Sequence, residues 1–430
     1  MKFNYIILFL LISGALKAQT RLSIEDAVNI ALKNNFGILM AKNEADISKA
    51  NNTAGNAGML PTVDITGSGT YELSNAHQKL SNGTENNLTS LSSTALGAGV
   101  ELNWILYDGG KMFVTKSKLK EIQSLGEIQF KEKVLSTLYD VYAAYYDVVR
   151  QKQQLNSIHE ALNYNRERVI IAQAGFDAGS LLKTDLLQAK IDLNVTSENA
   201  INQQFTIKSA LKTLNVLLGG KTDEQFTTSD SIPLTYMPEK ASLLNKINTS
   251  NASILNLTKQ IEIAQLTLKE NKTNYLPKLN FNAGYYASNS VNSAGSVLQN
   301  SSVGPQLRGT LSIPVFSAGE NKRKIAVAKI QAESAQYDLE NMKLQISTEL
   351  QNTLTEYENQ QNLLKIESEN NELAKENIQI SLDRLKQGQT TSLEVHQAQE
   401  DFVQSSTRLI NFRYNLKIAE TKLKQMVSEL

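Results

Sequence analysis

The chain has no cysteine, three histidines, six prolines and one tryptophan in 430 residues. The lack of a thiol excludes a disulfide framework and thiolate catalysis, and three histidines make a zinc site improbable. Lys+Arg and Asp+Glu both number 43, so the formal net charge is zero. A nucleic-acid binder needs a basic excess to meet the phosphate backbone, and that class is set aside. After the N-terminus no stretch reaches the roughly 20 apolar residues of a spanning helix, so membrane insertion requires strands. There is no nucleophile–base pair, Gly-rich phosphate loop or metal-ligand cluster, so neither an enzyme nor a bound cofactor is expected. The scarcity of proline is permissive. None lies between Gly110 and Gly219 or after Pro314, which leaves room for very long helices.

What is present is a duplication. Leu60-Pro61-Thr62-Val63-Asp64-Ile65 returns as Leu276-Pro277-Lys278-Leu279-Asn280-Phe281. Tyr107-Asp108-Gly109-Gly110 returns as Phe316-Ser317-Ala318-Gly319, and Ala178-Gly179-Ser180 as Gln387-Gly388-Gln389. The offset is constant at 209 from Gly110 to Gly319 and from Gly179 to Gly388. A repeat of this length dictates the architecture. Ahead of it, Met1-Lys2, the apolar run Tyr5 to Ile12 and Ala18-Gln19 predict a secretory signal peptide over residues 1–18. The first copy is expected over 19–218, an inter-repeat linker over 219–250, and the second copy over 251–430.

Period-two patterns predict strands at about 62–71, 96–107, 279–287 and 303–315. Val63, Ile65, Gly67, Gly69 and Tyr71 alternate with polar residues, as do Leu96, Ala98, Val100, Leu102, Trp104 and Leu106. Leu279, Phe281, Ala283, Tyr285 and Ala287 form a third such face, and Val303, Leu307, Leu311, Ile313 and Val315 a fourth. Apolar-out, polar-in runs of about ten residues suit a membrane barrel. The Ser- and Asn-rich segments 72–93 and 288–302 read as surface loops. Four strands cannot close a barrel, and an open edge in lipid leaves backbone groups unpaired. Two copies would supply eight strands and three copies twelve.

Helices are expected at about 110–178, 181–218, 319–387 and 391–428, with shorter ones at about 35–58 and 251–274. A helix starting after the N-cap Ser23 is expected to return near Ala241 to Asn248. About 65 residues at 1.5 Å each makes a helix roughly 100 Å long. Heptads bind these helices in pairs. Leu186, Leu193, Ala200, Ile207 and Leu214 match Val395, Phe402, Leu409, Leu416 and Leu423. Val141, Val148, Leu155, Leu162 and Val169 match Leu350, Tyr357, Leu364, Asn371 and Ile378, where only Asn371 breaks the pattern.

Signal peptide, two copies, proline-led strands, glycine turns into long helices and glycine-centred tips followed by an acid resemble the TolC family of outer-membrane efflux proteins. The resemblance covers nearly the whole mature chain. It implies mixed α and membrane β architecture. In it, four strands per chain contribute to a 12-stranded trimeric barrel, and long helix hairpins form a periplasmic tunnel. It implies a passive conduit that meets a periplasmic adaptor and an inner-membrane pump, of the non-lipidated type because no cysteine follows the signal. A membrane-anchored coiled-coil adhesion protein without transport is the alternative. The mouth positions implied are Asp185, Glu394 and Gln397, the last neutral where an acid is usual. Leu385 and Thr390 occupy the places of the family's latch residues.

By spacing, Asp185, Gln188 and Asp192 share one helix face, as do Glu394, Gln397 and Asp401. These six are the candidate gate and pore residues, against the reading of a solvated helix face. Gly179, Ser180, Gly388 and Gln389 at the turns are the candidate adaptor contacts. His396 is expected as an exposed tip residue.

Overall fold

The structure, a computed structural model, describes residues 20–220 and 226–430, so the expected signal segment lies outside the described residues. Two rounds of the same elements follow. The first is β1 (Thr20–Arg21), α1 (Ile24–Asn34), α2 (Phe36–Asn51), β2 (Thr62–Lys79), β3 (Glu85–Tyr107), α3 (Lys111–Asp177) and α4 (Lys183–Leu217). The second is β4 (Phe226–Thr227), α5 (Lys240–Ser250), α6 (Ala252–Lys272), β5 (Lys278–Asn292), β6 (Gln299–Ser312), α7 (Glu320–Lys386) and α8 (Ser392–Met426). Three of the four helix pairs agree to the residue: α3 and α7 have 67 residues each, α4 and α8 have 35, and α1 and α5 have 11, while α2 has 16 and α6 has 21. Among the described residues no helix is long and apolar enough to cross a membrane.

The chain divides into two compact units. One comprises Asn43–Gln129 and Ser253–Met342. It holds a four-stranded antiparallel sheet in the order β2-β3-β5-β6. The register collects the expected apolar positions on a single face. Val63, Leu102, Ala283 and Leu307 form one cross-strand row, and Ile65, Val100, Tyr285 and Pro305 the next. Gly67, Ala98, Ala287 and Val303 form a third. The opposite face carries Asp64, Glu101 and Gln306 in one row and Thr66, Tyr286 and Gly304 in another. β2 and β6 each pair on one side only.

The strands differ from expectation at their ends. Residues 72–93 and 288–302 are not long loops, because β2 and β3 run to Lys79 and from Glu85, and β5 and β6 run to Asn292 and from Gln299. Ser, Thr and Asn accept the extended backbone once a partner strand satisfies it, and no apolar alternation marks them. β6 stops at Ser312 and leaves Ile313 and Val315 outside the ladder, since Pro314 offers no N–H. α2 ends at Asn51, not near 58. Asn56 N donates to Thr53 Oγ1 at 3.1 Å and Asn56 Nδ2 to Asn51 O at 2.9 Å, side-chain bonds that compete with the helix.

Gly109 shows why the strand-to-helix turn needs glycine. Its φ is +79°, and a Cβ there would lie 2.8 Å from Thr273 O and 2.6 Å from Leu276 Cβ. The Asp108 carboxylate then accepts from Met112 N at 2.9 Å and starts α3. Further along, Glu270 of α6 pairs with Lys118 of α3, lies 3.8 Å from Lys111 and accepts from Thr115 Oγ1 at 3.1 Å. Burial opposes the charge of Glu270, but Lys118, Thr115 and Lys111 outweigh it and hold the carboxyl below its usual range. A lowered folded pKa stabilises fully above the unfolded value of 4.5 and fades as pH falls through the folded value. Glu270→Gln is therefore expected to lower thermal stability at pH 7 and to flatten the acid limb of stability against pH. Superimposable profiles for variant and parent would remove Glu270 from the account.

The second unit comprises residues up to Lys42, Phe130–Ala252 and Lys343–Leu430. Its helices pack along the expected heptads. Val141, Val148, Leu162, Leu186, Leu214, Leu350, Tyr357, Ile378 and all five of the α8 positions are buried. Asn371, the break in the pattern, donates to Ser406 Oγ at 2.8 Å, so its amide is satisfied inside the seam. Ser23 caps α1 by accepting from Asp26 N, as the sequence predicts. β1 pairs in parallel with β4, which puts a strand and α5 inside the segment 219–250. Tyr145 OH donates to Leu22 O at 2.9 Å and accepts from Ser229 N at 3.1 Å, which pins both short strands to α3.

Candidate functional site

Both helix hairpins turn by the same device. Ser180 N donates to Gly175 O at 2.8 Å and Gly179 N to Phe176 O at 3.0 Å. In the second copy Gln389 N donates to Arg384 O at 2.9 Å and Gly388 N to Leu385 O at 3.1 Å. This is the Schellman closure of a helix end, which needs a left-handed residue. Gly179 has φ +73° and Gly388 φ +68°, with open space where a Cβ would sit. Conformation, not crowding, demands glycine at these two turns.

The helices after the turns begin differently. Asp185 folds back to accept from Leu182 N at 3.1 Å. Thr391 caps α8 by accepting from Glu394 N at 3.3 Å. Glu394 meets Arg384 across the turn at 3.2 Å and accepts from the Thr390 hydroxyl. Leu385 is buried with Ile378, Leu382, Val395, Ala398 and Phe402, so it is a core residue of the hairpin.

About two turns deeper the two copies diverge again. Asp192 is only 12% exposed and pairs with Arg168 of α3, which is 1% exposed. Gln188 Nε2 donates to Asp192 Oδ1 at 2.8 Å. His396 of α8 places Nδ1 3.3 Å from Asp192 Oδ2, outside hydrogen-bond geometry. His396 is thus half-buried against α4 and is not the exposed tip residue its position suggests. In the second copy Gln397 Nε2 donates to Asp401 Oδ1 at 2.9 Å, and both side chains are exposed. Among the described residues no cation lies within ion-pair distance of Asp185 or Asp401. Of four acids on equivalent faces, Asp192 and Glu394 are ion-paired within the chain, and Asp185 and Asp401 have no ion-pair partner among the described residues.

Arg168 escaped the sequence reading. A signal existed: Ala161, Asn165, Arg168 and Ala172 recur at spacings of four, three and four, and all four are buried to within 1%. The ion pairs Lys375–Glu160 at 3.5 Å and Lys386–Glu167 at 2.5 Å tie α7 to α3 along the same stretch.

The sequence profile described as outer membrane efflux protein matches residues 27–220 and 243–429. The chain belongs to that family. It is 20% identical to the proteases secretion protein PrtF of Dickeya chrysanthemi over 401 residues, covering 90% of this chain and 84% of that one. It is 24% identical to the alkaline protease secretion protein AprF of Pseudomonas aeruginosa over 231 residues, and there it spans 46% of the relative's length. Its fold matches the outer membrane channel CmeC of Campylobacter jejuni with a TM-score of 0.79 at 16% identity, covering 94% of this chain and 85% of that one. As a member of the family the protein is an outer membrane efflux protein, built as two copies of a strand-and-long-helix repeat.

Proposed function

We propose that three copies form one duct, with the apolar sheet face toward lipid, and that the duct works with a periplasmic adaptor and an inner-membrane pump. The observation that carries this reading is the four-stranded sheet with one apolar face and two unpaired edges. Such edges are not tolerated in lipid. Two copies would give eight strands, and an eight-stranded barrel is filled by its own side chains. Three copies give twelve and leave a lumen. Exposed apolar residues on α4 (Ile191, Val195, Ile201, Phe205) support a partner helix from another copy. The duct itself is passive and catalyses no reaction. Relatives named for protease secretion and for efflux support export in one direction.

The adaptor is proposed to dock at the hairpin turns, around Gly179, Ser180, Gly388 and Gln389. The mouth beside them is proposed to be lined by Asp185, Gln188, Glu394, Gln397 and Asp401. Asp192 belongs to the packing instead, because Arg168 neutralises it. In three copies, Asp185 and Asp401 would ring the opening with unpaired carboxylates and favour cations. Asp185→Asn with Asp401→Asn is expected to shift the reversal potential of reconstituted channels toward zero under a salt gradient. The shift should shrink in concentrated salt, where screening acts within about 3 Å at 1 M. Unchanged selectivity would return these acids to a solvated helix face. A parent protein that forms no channels would favour the adhesive coiled-coil alternative.

A further inference from the structure

The polar face of the sheet holds an aromatic ring in an unusual posture. Tyr286 of β5 is directly opposite Gly99 of β3 and Gly304 of β6. A Cβ on Gly284 would lie 2.6 Å from the ring's Cε2 and Cζ. A Cβ on Gly99 would lie 3.0 Å from Cε1 and closer still to Cδ1. Nothing lies within 4 Å of a Cβ on Gly304. The ring therefore leans away from β6 and lies across the bare backbone of two glycines, one on its own strand and one on the neighbour. Its hydroxyl donates to Glu101 Oε2 at 3.1 Å, which fixes the far end. Around it Asn103, Asn282, Gln306 and Arg308 complete a polar cavity of about 200 Å³. Tyr285, the next residue but on the apolar face, is 59% exposed, whereas Tyr286 is half-buried with no second layer above it.

Glycine weakens a strand, because it loses more backbone entropy than other residues and packs no side chain. Two glycines under one ring call for a reason. A side chain at Gly284 would meet the far end of the ring, and one at Gly99 its near edge at Cδ1 with Tyr285 O at 3.2 Å beside it, so in both cases the ring is the group that must lift off the wall.

We propose that Tyr286, held flat by Gly99, Gly284 and Glu101, sets the free cross-section of the strand-lined part of the duct. The two glycines and Glu101 are positioning residues, and Tyr286 is the residue that determines the bore. This rests on the reading that the polar face lines the lumen. Three copies place three rings around that lumen, so each lifted ring counts three times.

The test is single-channel conductance in a planar bilayer for the parent, Gly99→Ala, Gly284→Ala, Tyr286→Ala and the two glycine–tyrosine double variants. Each alanine at a glycine is expected to lower conductance by roughly a third or more, because conduction follows pore diameter. Tyr286→Ala alone keeps or raises it. Adding Tyr286→Ala to either glycine variant restores the parent's value. A glycine variant that fails to assemble is likewise expected to assemble once Tyr286→Ala is added. Normal conductance in both glycine variants overturns the proposal, and so does a loss that Tyr286→Ala leaves unrelieved. A parent that conducts nothing overturns the channel reading and the proposal together, and this outcome differs visibly from a conducting parent with indifferent variants.

Discussion

Replacing Leu344, Leu373 and Ile380 with glutamate will abolish the oligomer while each chain keeps its own helix pairs. These three residues of α7 are between 50% and 68% exposed in the single chain. Leu373 and Ile380 are seven apart and each stands two residues beyond a position of the internal seam, Asn371 and Ile378. Two residues is about 200° around a helix, so α7 carries a second apolar seam on its far side. The first seam is filled by this chain. The second stays exposed among the described residues. Burying a leucine or isoleucine contributes about 1.5–3 kcal/mol, and a carboxylate in the same place must instead be desolvated. Native mass spectrometry in detergent, with circular dichroism as the control, reads the outcome. A persisting trimer with three glutamates per chain would show that this seam is not an interface.

The second large effect is expected at Arg168. Its guanidinium is buried beside a carboxylate that is itself mostly buried. Arg168→Ala leaves the Asp192 charge without its cation, and breaking a buried pair from one side costs about 3–5 kcal/mol. Replacing both partners, Arg168→Met with Asp192→Leu, removes the charge along with its counter-charge and should restore most of the loss. Thermal unfolding of the helical signal in detergent, measured for both single variants and the double, gives the coupling. Independent, additive losses would mean that the two side chains do not depend on each other. Asp192 also approaches His396 of α8, so protease cleavage near the hairpin ends should rise in Arg168→Ala before global unfolding does.

Much of this protein was legible because its information is local or repeated. A seven-residue period, a two-residue period and a constant offset of 209 can be read along a line, and each translates directly into which side of an element is apolar. The α3 and α7 boundaries fell within a residue of expectation because glycine turns punctuate them at both ends. The strand extensions beyond Tyr71 and before Leu96 were not legible. Their serines, threonines and asparagines carry no alternation, and only the partner strand makes them extended. The two acid-bearing faces after the hairpin turns looked equivalent in sequence for the same reason. The partner that separates them, Arg168, sits on another helix, 24 residues from Asp192.

The sequence alone determined the duplication, the helix lengths, the apolar sheet face and the family, because periodicity and order survive without three-dimensional contacts. Tertiary structure alone decided which acids find an ion-pair partner, which apolar seam stays exposed, and that Tyr286 lies flat on two glycines. Each of these depends on what a side chain meets across a helix pair or a strand ladder. Burial turns an unmet charge or an added methyl into a cost that no linear pattern records.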